Sequence, residues 1–288
     1  MNRLQELLFH FFCVKSYRWP DAFKARSFQH GFESTASYFQ RLGNHVDVRD
    51  KTVLDVGCGS GATCIYVAQQ GARQVTGIDI DEISIAFANA VLVDQYRELA
   101  DKVTFKVATE PAQLSAQKFD IILSKDSFEH IADPESYLRQ LQHYVADDGI
   151  IVIGFGPLWK SPYGGHITFM TRLPWAHLLF PERVIMKERR LHFGATDGAE
   201  TFEQVWGGLN KMTFSRFKAI IQESELEPVY LKVNAHDSLL KSRLFNLLRR
   251  VPLCEEYFTF NVYGIWRLKK RPAAVAGEPV GASSQSER

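Results

Sequence analysis

The feature that most constrains this chain is an apolar run followed by alternating glycines, Val53-Leu54-Asp55-Val56-Gly57-Cys58-Gly59-Ser60-Gly61. The apolar run predicts a buried strand, and the glycines predict a tight turn that leads into a helix. Because glycine lacks a Cβ, this turn can adopt positive φ angles and let a ligand lie against N–H groups at a helix N-terminus. The segment therefore predicts a binding site, with Cys58 among its residues.

Strand and helix patterns alternate beyond the turn, which indicates a parallel sheet covered by helices on both faces. We predict an α/β fold with a doubly wound, mostly parallel, seven-stranded sheet. The predicted strands are 53–56, 74–78, 103–107, 119–123, 150–155, 229–234 and 258–268. Two helix starts are marked by residues that cap helices, Asp81 and the Asp133-Pro134-Glu135 segment.

The chain divides by composition into five predicted regions around one elaborated core. They are a helical N-terminal lid at 1–48, a ligand-binding core at 49–155, a substrate cap inserted after the fifth strand at 156–212, the C-terminal part of the core sheet at 213–270 with an amphipathic insertion at 236–252, and a disordered tail at 271–288.

The glycine turn alone leaves two classes of ligand open. Gly57, Gly59 and Ala62 satisfy the dinucleotide pattern G-x-G-x-x-G/A, and Asp79 supplies an acidic residue about 20 positions onward. Asp55 favours another ligand, because a carboxylate there would oppose a pyrophosphate and complement an ammonium group. An NAD site, or a turn without a ligand, remains the alternative.

Two motifs resemble those of the class I S-adenosylmethionine-dependent methyltransferases. The first has the form D-x-G-x-G-x-G and begins at Asp55. The second is the fourth-strand segment 119–134, which ends in Glu-His and then Asp-Pro. The resemblance covers roughly residues 50–155 and implies a Rossmann-like methyltransferase fold with S-adenosylmethionine as cofactor.

This resemblance implies a set of cofactor contacts at the carboxyl ends of the strands. Asp55 would face the ammonium group, directly or through water, and Asp79 would accept hydrogen bonds from both ribose hydroxyls. Family members usually place an acidic residue near the adenine, where this chain offers Thr109 and Glu110. The expected cofactor-binding residues are Asp55, Gly57, Cys58, Gly59, Gly61, Asp79, Ile80, Thr109, Glu110 and Ser124.

The Glu-His pair suggests how a hydroxyl acceptor would be deprotonated. We expect His130 beside the transferred methyl group as a general base, with Glu129 orienting it. His166, in a glycine-containing loop after the fifth strand, is a further candidate base. The alternative is that these residues only hold their loops through hydrogen bonds.

Asp126, Glu129 and His130 also suggest a metal site. Their i, i+3, i+4 spacing would put all three on one face of a helix, with His166 as a further ligand. The segment resembles the acid-x-x-Glu-His pattern of metal-dependent O-methyltransferases of ubiquinone biosynthesis and small-RNA 2′-hydroxyl methylation, with Asp126 in place of the common Glu. The implied ion is Mg²⁺, Mn²⁺ or another borderline cation.

Charge and hydropathy limit the partners. The formal net charge is +1 and the pI is about 7.7, which makes a nucleic-acid partner unexpected. No apolar run approaches the roughly 20 residues of a membrane span, and the N-terminus lacks a secretory layout, so we expect a cytoplasmic protein. The cationic amphipathic segment 239–250 predicts either a solvated helix or peripheral contact with anionic lipid.

The sequence thus predicts a methyltransferase for a small-molecule or lipid-like acceptor, with O-methylation favoured. Two other functions stay open: a metal-dependent RNA 2′-O-methyltransferase, and an inactive S-adenosylmethionine-binding scaffold or regulatory protein.

Overall fold

A computed structural model describes residues 2–14, 23–108, 114, 117–205, 207–236 and 238–270. Its centre is a seven-stranded sheet in the order β3-β2-β1-β4-β5-β7-β6. The strands are β1 (Thr52–Val56), β2 (Gln74–Asp79), β3 (Val103–Val107), β4 (Phe119–Lys125), β5 (Val145–Phe155), β6 (Leu226–Val233) and β7 (Val262–Leu268). The first five strands are parallel and β7 is antiparallel to both neighbours, which confirms the predicted fold class.

Helices connect and flank these strands in the described residues. They are α1 (Asn2–Phe12), α2 (Phe23–Arg41), α3 (Ala62–Gln69), α4 (Glu82–Gln95), α5 (Pro134–Tyr144), α6 (Ala176–Leu179), α7 (Glu182–His192), α8 (Phe214–Glu223) and α9 (Leu239–Leu248). Both predicted caps are confirmed: Asp81 accepts a hydrogen bond from the Ile83 N–H at 3.1 Å, and Asp133 accepts one from the Ser136 N–H at 2.9 Å.

Strand order reverses between β1 and β4, which are neighbours in the sheet although two strands separate them in sequence. From β1 the chain continues to β2 on one side of this point, and from β4 it continues to β5 on the other side. In open α/β sheets, ligands bind at such a reversal, beyond the carboxyl ends of the strands. The glycine turn follows β1 and the Glu-His segment follows β4, so the topology brings the two motifs to one edge of the sheet.

The sheet has an apolar core on each face because successive side chains of its central strands point to opposite sides. Val53 lies in one buried cluster and Leu54 in the other. Helix α2 joins the first cluster through Tyr38 and Leu42. Phe128, which follows β4, joins the second cluster and contacts Phe155 and Phe217, with ring centroids 5.6 and 5.7 Å apart.

The predicted N-terminal lid divides into two parts that pack in different places. Whereas α2 packs on the sheet, α1 packs on the cap insertion, where Phe9 is fully buried with Val184 and Ile185 of α7. The Thr171 hydroxyl donates a hydrogen bond to the Phe12 carbonyl at 2.8 Å and fixes the end of α1. Helix α1 therefore packs with residues of the 156–212 segment, the predicted cap.

Three predicted strand starts differ from the structure, and one is that of the sixth strand, which begins at Leu226 rather than at residue 229. The fifth strand begins at Val145 rather than at residue 150, because Val145 pairs with Phe119 before the register shifts. The last strand begins at Val262 rather than at residue 258. Residues 271–288, the predicted disordered tail, lie outside the described residues.

Candidate active site

The glycine turn after β1 forms an open cradle. Gly57, Gly59 and Gly61 have φ angles of 71°, 53° and 83°, values that L side chains rarely adopt. A Cβ on Gly57 would collide with Ser127, and one on Gly61 would lie 2.5 Å from Phe105. A Cβ on Gly59 would meet nothing within 4 Å, so the backbone at Gly59 borders open space.

Asp79 lies at the end of β2, beside this cradle. Its carboxylate accepts hydrogen bonds from the Gly59 N–H at 2.8 Å and from the Asp81 N–H at 2.9 Å. These two bonds hold the carboxylate while leaving acceptor capacity for hydroxyl groups. Ile80 follows directly and is 66% exposed, which leaves it available for contact with an apolar ring. Thr109 and Glu110, expected near an adenine, lie outside the described residues.

Asp55 is a buried carboxyl group in β1. It is 2% exposed, and the Cys64 thiol donates a hydrogen bond to it at 3.3 Å. Burial raises the pKa of Asp55 to about 6, and the Cys64 hydrogen bond and the charge of Lys125 only partly offset this rise. A cation bound nearby would favour the ionised carboxylate. The Cys58 thiol, also buried, lies beside Cys64.

The segment after β4 packs directly on the glycine turn. The Ser127 hydroxyl donates hydrogen bonds to the Gly57 carbonyl at 3.2 Å and to the Lys125 carbonyl at 2.9 Å. Asp126 has a φ of 51° and pairs with Lys125 at 2.9 Å, and Phe128–His130 forms a short 3₁₀-helix. The prediction that one α-helical face carries Asp126, Glu129 and His130 is therefore wrong, because the left-handed turn at Asp126 breaks the helical spacing.

Glu129 points into the protein. Its side chain is buried, and its Oε2 atom has no hydrogen-bond partner. Burial and the negative charge of Asp126 raise the pKa of Glu129 to about 8. Glu129 therefore carries a proton at neutral pH unless a cation lies nearby.

His130 points outward and meets His166. The Nδ1 atom of His130 lies 2.5 Å from the Gly208 carbonyl, which is the partner that orients this ring in the structure. The ring centroids of His130 and His166 are 5.5 Å apart, with planes nearly perpendicular at 84°. Burial and the neighbouring His130 lower the pKa of His166 to about 4, so His166 is uncharged at neutral pH.

Three buried polar atoms in the described part of the chain have no hydrogen-bond partner and belong to this region. They are the Ser124 Oγ atom, the Glu129 Oε2 atom and the Tyr38 hydroxyl oxygen. Buried polar groups are normally paired, so such atoms mark a place where a ligand would supply partners. The open backbone at Gly59, the carboxylates of Asp55 and Asp79 and these three atoms together fit an adenosyl amino acid with an ammonium group.

Tyr38 is a candidate site residue that the sequence did not reveal. It comes from α2, and burial with the nearby charges of Asp126 and Asp55 raises its pKa well above the ordinary value. Its ring lies 5.8 Å from that of Tyr263 on β7. Tyr38 lies far from both motifs in sequence, and no pattern marks it, because aromatic residues are frequent throughout the N-terminal region.

The predicted metal site receives no support. Among the described residues, the ligand atoms that lie close enough together to bind one ion belong to His10, Glu188 and His192. Asp126, Glu129, His130 and His166 do not form such a set. Asp126 pairs with Lys125, and Glu129 turns into the core while His130 turns out of it.

Comparison with known proteins identifies the family. A family model described as a methyltransferase domain matches residues 28–154. Residues 28–154 are therefore a methyltransferase domain of the class I S-adenosylmethionine-dependent family. The match resolves the choice of ligand that the glycine turn left open, because this family binds S-adenosylmethionine.

The chain spans half or less of the length of two curated relatives that it matches. The chain is 33% identical over 122 residues to a ubiquinone biosynthesis O-methyltransferase from Neisseria meningitidis, which is 42% of this chain and 50% of the relative. It is 36% identical over 109 residues to protein arginine N-methyltransferase 1 from Schizosaccharomyces pombe, which is 36% of this chain and 31% of the relative. These names include both oxygen and nitrogen methylation.

Solved structures share the fold over most of the chain. An S-adenosylmethionine-dependent methyltransferase from Mesorhizobium loti superposes with a TM-score of 0.53 at 16% identity, covering 82% of this chain and 99% of that one. The cyclase SpnF gives a TM-score of 0.52 at 15% identity, covering 83% and 85%. At these identities the likeness shows the fold alone.

Gly59→Ala tests the cradle. We expect it to weaken S-adenosylmethionine binding at least tenfold, because the added methyl group would occupy the open space at the cofactor backbone contact. Calorimetric titration measures the affinity. Gly194→Ala is the matched control, since Gly194 also has a positive φ of 66° and open space around its Cβ position. Both variants should lose about 1 kcal/mol of stability from the left-handed backbone. Equal cofactor affinity in the two variants would contradict the assignment.

The pKa of Asp55 predicts how cofactor affinity depends on pH. The ionised carboxylate attracts the ammonium group, so binding should weaken as the pH falls through about 6 and Asp55 takes up a proton. A drop from pH 7 to pH 5 should raise the Kd about tenfold. Measuring the Kd for S-adenosylmethionine at several pH values tests this.

Two controls isolate the Asp55 contribution. Asp55→Asn should bind more weakly at pH 7 and lose this part of the pH dependence, because the amide does not titrate. 5′-Methylthioadenosine, which lacks the ammonium group, should show little dependence with the unaltered protein. An unchanged pH profile in Asp55→Asn would remove Asp55 from the ammonium contact.

Proposed function

We propose that this protein transfers the methyl group of S-adenosylmethionine to an oxygen atom of a small-molecule or lipid-like acceptor. The bound cofactor supplies an electrophilic methyl group on a sulfonium. The protein's own residues would hold the acceptor in line with that group, keep water out and accept the acceptor's proton. The observation that carries the proposal is the hydrogen bond between His130 and Gly208, on the loop whose Ser127 contacts Gly57 of the glycine turn.

That hydrogen bond defines the proton on the His130 ring. A carbonyl oxygen can only accept, so the Nδ1 atom of His130 must donate, and in the neutral ring the Nε2 atom keeps a free lone pair. An exposed imidazole with this tautomer is suited to take a proton from a hydroxyl group. The uncharged His166 beside it would place no second positive charge against the protonated ring.

An oxygen acceptor is favoured because a neutral hydroxyl needs a base before it can attack a sulfonium methyl group. The relatives do not choose between acceptors, since one is named for ubiquinone biosynthesis and another for protein arginine, at similar identities of 33% and 36%. The proposal for oxygen therefore rests on His130 and its proton.

A lipid-like acceptor is favoured by the surface of α9. Leu240, Leu244 and Leu247 occupy one face of this helix and are 77%, 49% and 63% exposed. Lys241 and Arg250 are exposed nearby, which suits an anionic membrane surface. No described helix is both long enough and apolar enough to cross a bilayer. Contact of α9 with a membrane surface remains a prediction.

Replacing His130 tests the proposed base. His130→Gln should lower kcat by about 10²- to 10⁴-fold, because the amide cannot take the acceptor's proton, while the Kd for S-adenosylmethionine stays within about twofold. Raising the pH should partly restore the rate if the acceptor ionises by itself.

His143→Gln is the matched control for this experiment. His143 is an exposed histidine whose Nδ1 atom also lies against a backbone carbonyl, that of Arg139, at 2.8 Å. This variant should keep full turnover. Unchanged turnover in His130→Gln would remove His130 from the mechanism.

The acceptor can be found with a methyl-labelled cofactor. Cell extract is separated into small-molecule, lipid, RNA and protein fractions and incubated with the protein, and mass spectrometry locates the label. Label in a small molecule or lipid, absent with His130→Gln, supports the proposal. Label in RNA would favour the 2′-O-methyltransferase alternative, and cofactor binding without transfer to any fraction would favour a scaffold role.

A further inference from the structure

Two helices that are distant in sequence bring together two histidines and a carboxylate. His10 lies on α1, and Glu188 and His192 lie on α7. The Nδ1 atom of His10 is 2.6 Å from Glu188 Oε1, and the Nε2 atom of His192 is 3.9 Å from Glu188 Oε2. One ligand atom from each residue lies within 4.8 Å of the other two. Neither the glycine turn nor the acceptor loop contributes to this cluster.

The fold itself holds the cluster together. Glu188 and His192 are four residues apart, so they project from the same face of α7. Helix α1 is fixed against α7 by the buried Phe9 and by the ion pair between Lys187 and Glu6 at 2.7 Å. These contacts hold the backbone of the three residues in place without using the polar atoms of His10, Glu188 or His192.

Small movements of the three side chains would bring their ligand atoms around one ion. Zinc bonds to nitrogen and oxygen are about 2.0–2.1 Å long, so tetrahedral ligand atoms lie about 3.4 Å apart. Since one ligand atom from each residue lies within 4.8 Å of the other two, each separation must change by at most about 1.4 Å. The histidine side chains are 57% and 50% exposed, which leaves room for them to adjust, whereas that of Glu188 is 9% exposed.

The donor set indicates the class of ion. Two imidazoles and a carboxylate suit zinc and similar divalent transition metals, whereas magnesium prefers oxygen ligands. Cys13 follows α1 directly, three residues after His10, and burial and the negative charge of Glu188 raise the pKa of its thiol. A cavity of about 410 Å³, lined by the three cluster residues with Arg3, Glu6 and Leu7, gives an ion and its water access from solvent.

We propose that His10, Glu188 and His192 bind one zinc-class divalent cation, which links the N-terminal helix α1 to helix α7 of the cap. A water molecule or the Cys13 thiol would complete the coordination. Bound metal would add to the contacts of Phe9 and Glu6 that already hold α1 against α7. The proposal does not depend on the methyl-transfer reaction.

Calorimetry with the full-length protein, stripped of metal by a chelator, tests the site. Titration with ZnCl₂ should show one saturable site with a Kd in the micromolar range or tighter, and MgCl₂ should give no binding at the same concentrations. His10→Ala/His192→Ala should lose this site. His143→Ala, which replaces an exposed histidine elsewhere, should keep it.

A structural readout separates a helix-linking ion from an ion held at the surface. Zinc should slow hydrogen exchange of the α1 amides in the unaltered protein at least tenfold and leave those of the double variant unchanged. Glu188→Gln provides a second variant and should weaken zinc binding. The proposal is overturned if no one-to-one site is found, if the double variant binds zinc equally well, or if zinc leaves α1 exchange unchanged.

Discussion

The contact between Gly57 and Ser127 joins the two halves of the candidate site. The Ser127 hydroxyl donates to the Gly57 carbonyl, and the space that a Cβ on Gly57 would need is taken by the Ser127 side chain. Strand reversal between β1 and β4 makes this contact possible, because it places the two loops side by side. The cradle for the cofactor and the loop that carries His130 therefore have a fixed distance between them, as an in-line methyl transfer requires.

Local chemistry made much of this arrangement predictable. The glycines of the turn predicted positive φ angles, and Asp81 and Asp133 predicted the starts of their helices. Both features depend on only a few neighbouring residues. The conformation after β4 was predicted wrongly, since Asp126 adopts a left-handed turn that its residue type does not demand. Tyr38 and the Gly208 carbonyl reach the site only through tertiary packing, which leaves no periodic signal in the sequence.

Charge in the site is arranged around a cationic ligand. Asp55 and Glu129 are buried carboxyl groups whose pKa values burial raises, and both would gain from a nearby positive charge. The regions that match known relatives contain this cofactor half, whereas the cap and α1 lie outside the family match. Relatives named for oxygen and for nitrogen methylation both resemble this chain, so the shared domain does not identify the acceptor.

The burial of Phe9 within the cap has a practical consequence for work on this protein. Phe9 belongs to the hydrophobic cluster that residues of the 156–212 segment form, although it precedes the methyltransferase domain match, which begins at residue 28. A truncated protein that begins at residue 28, where the family match starts, would keep the glycine turn but lose Phe9 from this cluster. An affinity tag is accordingly better attached at the opposite terminus.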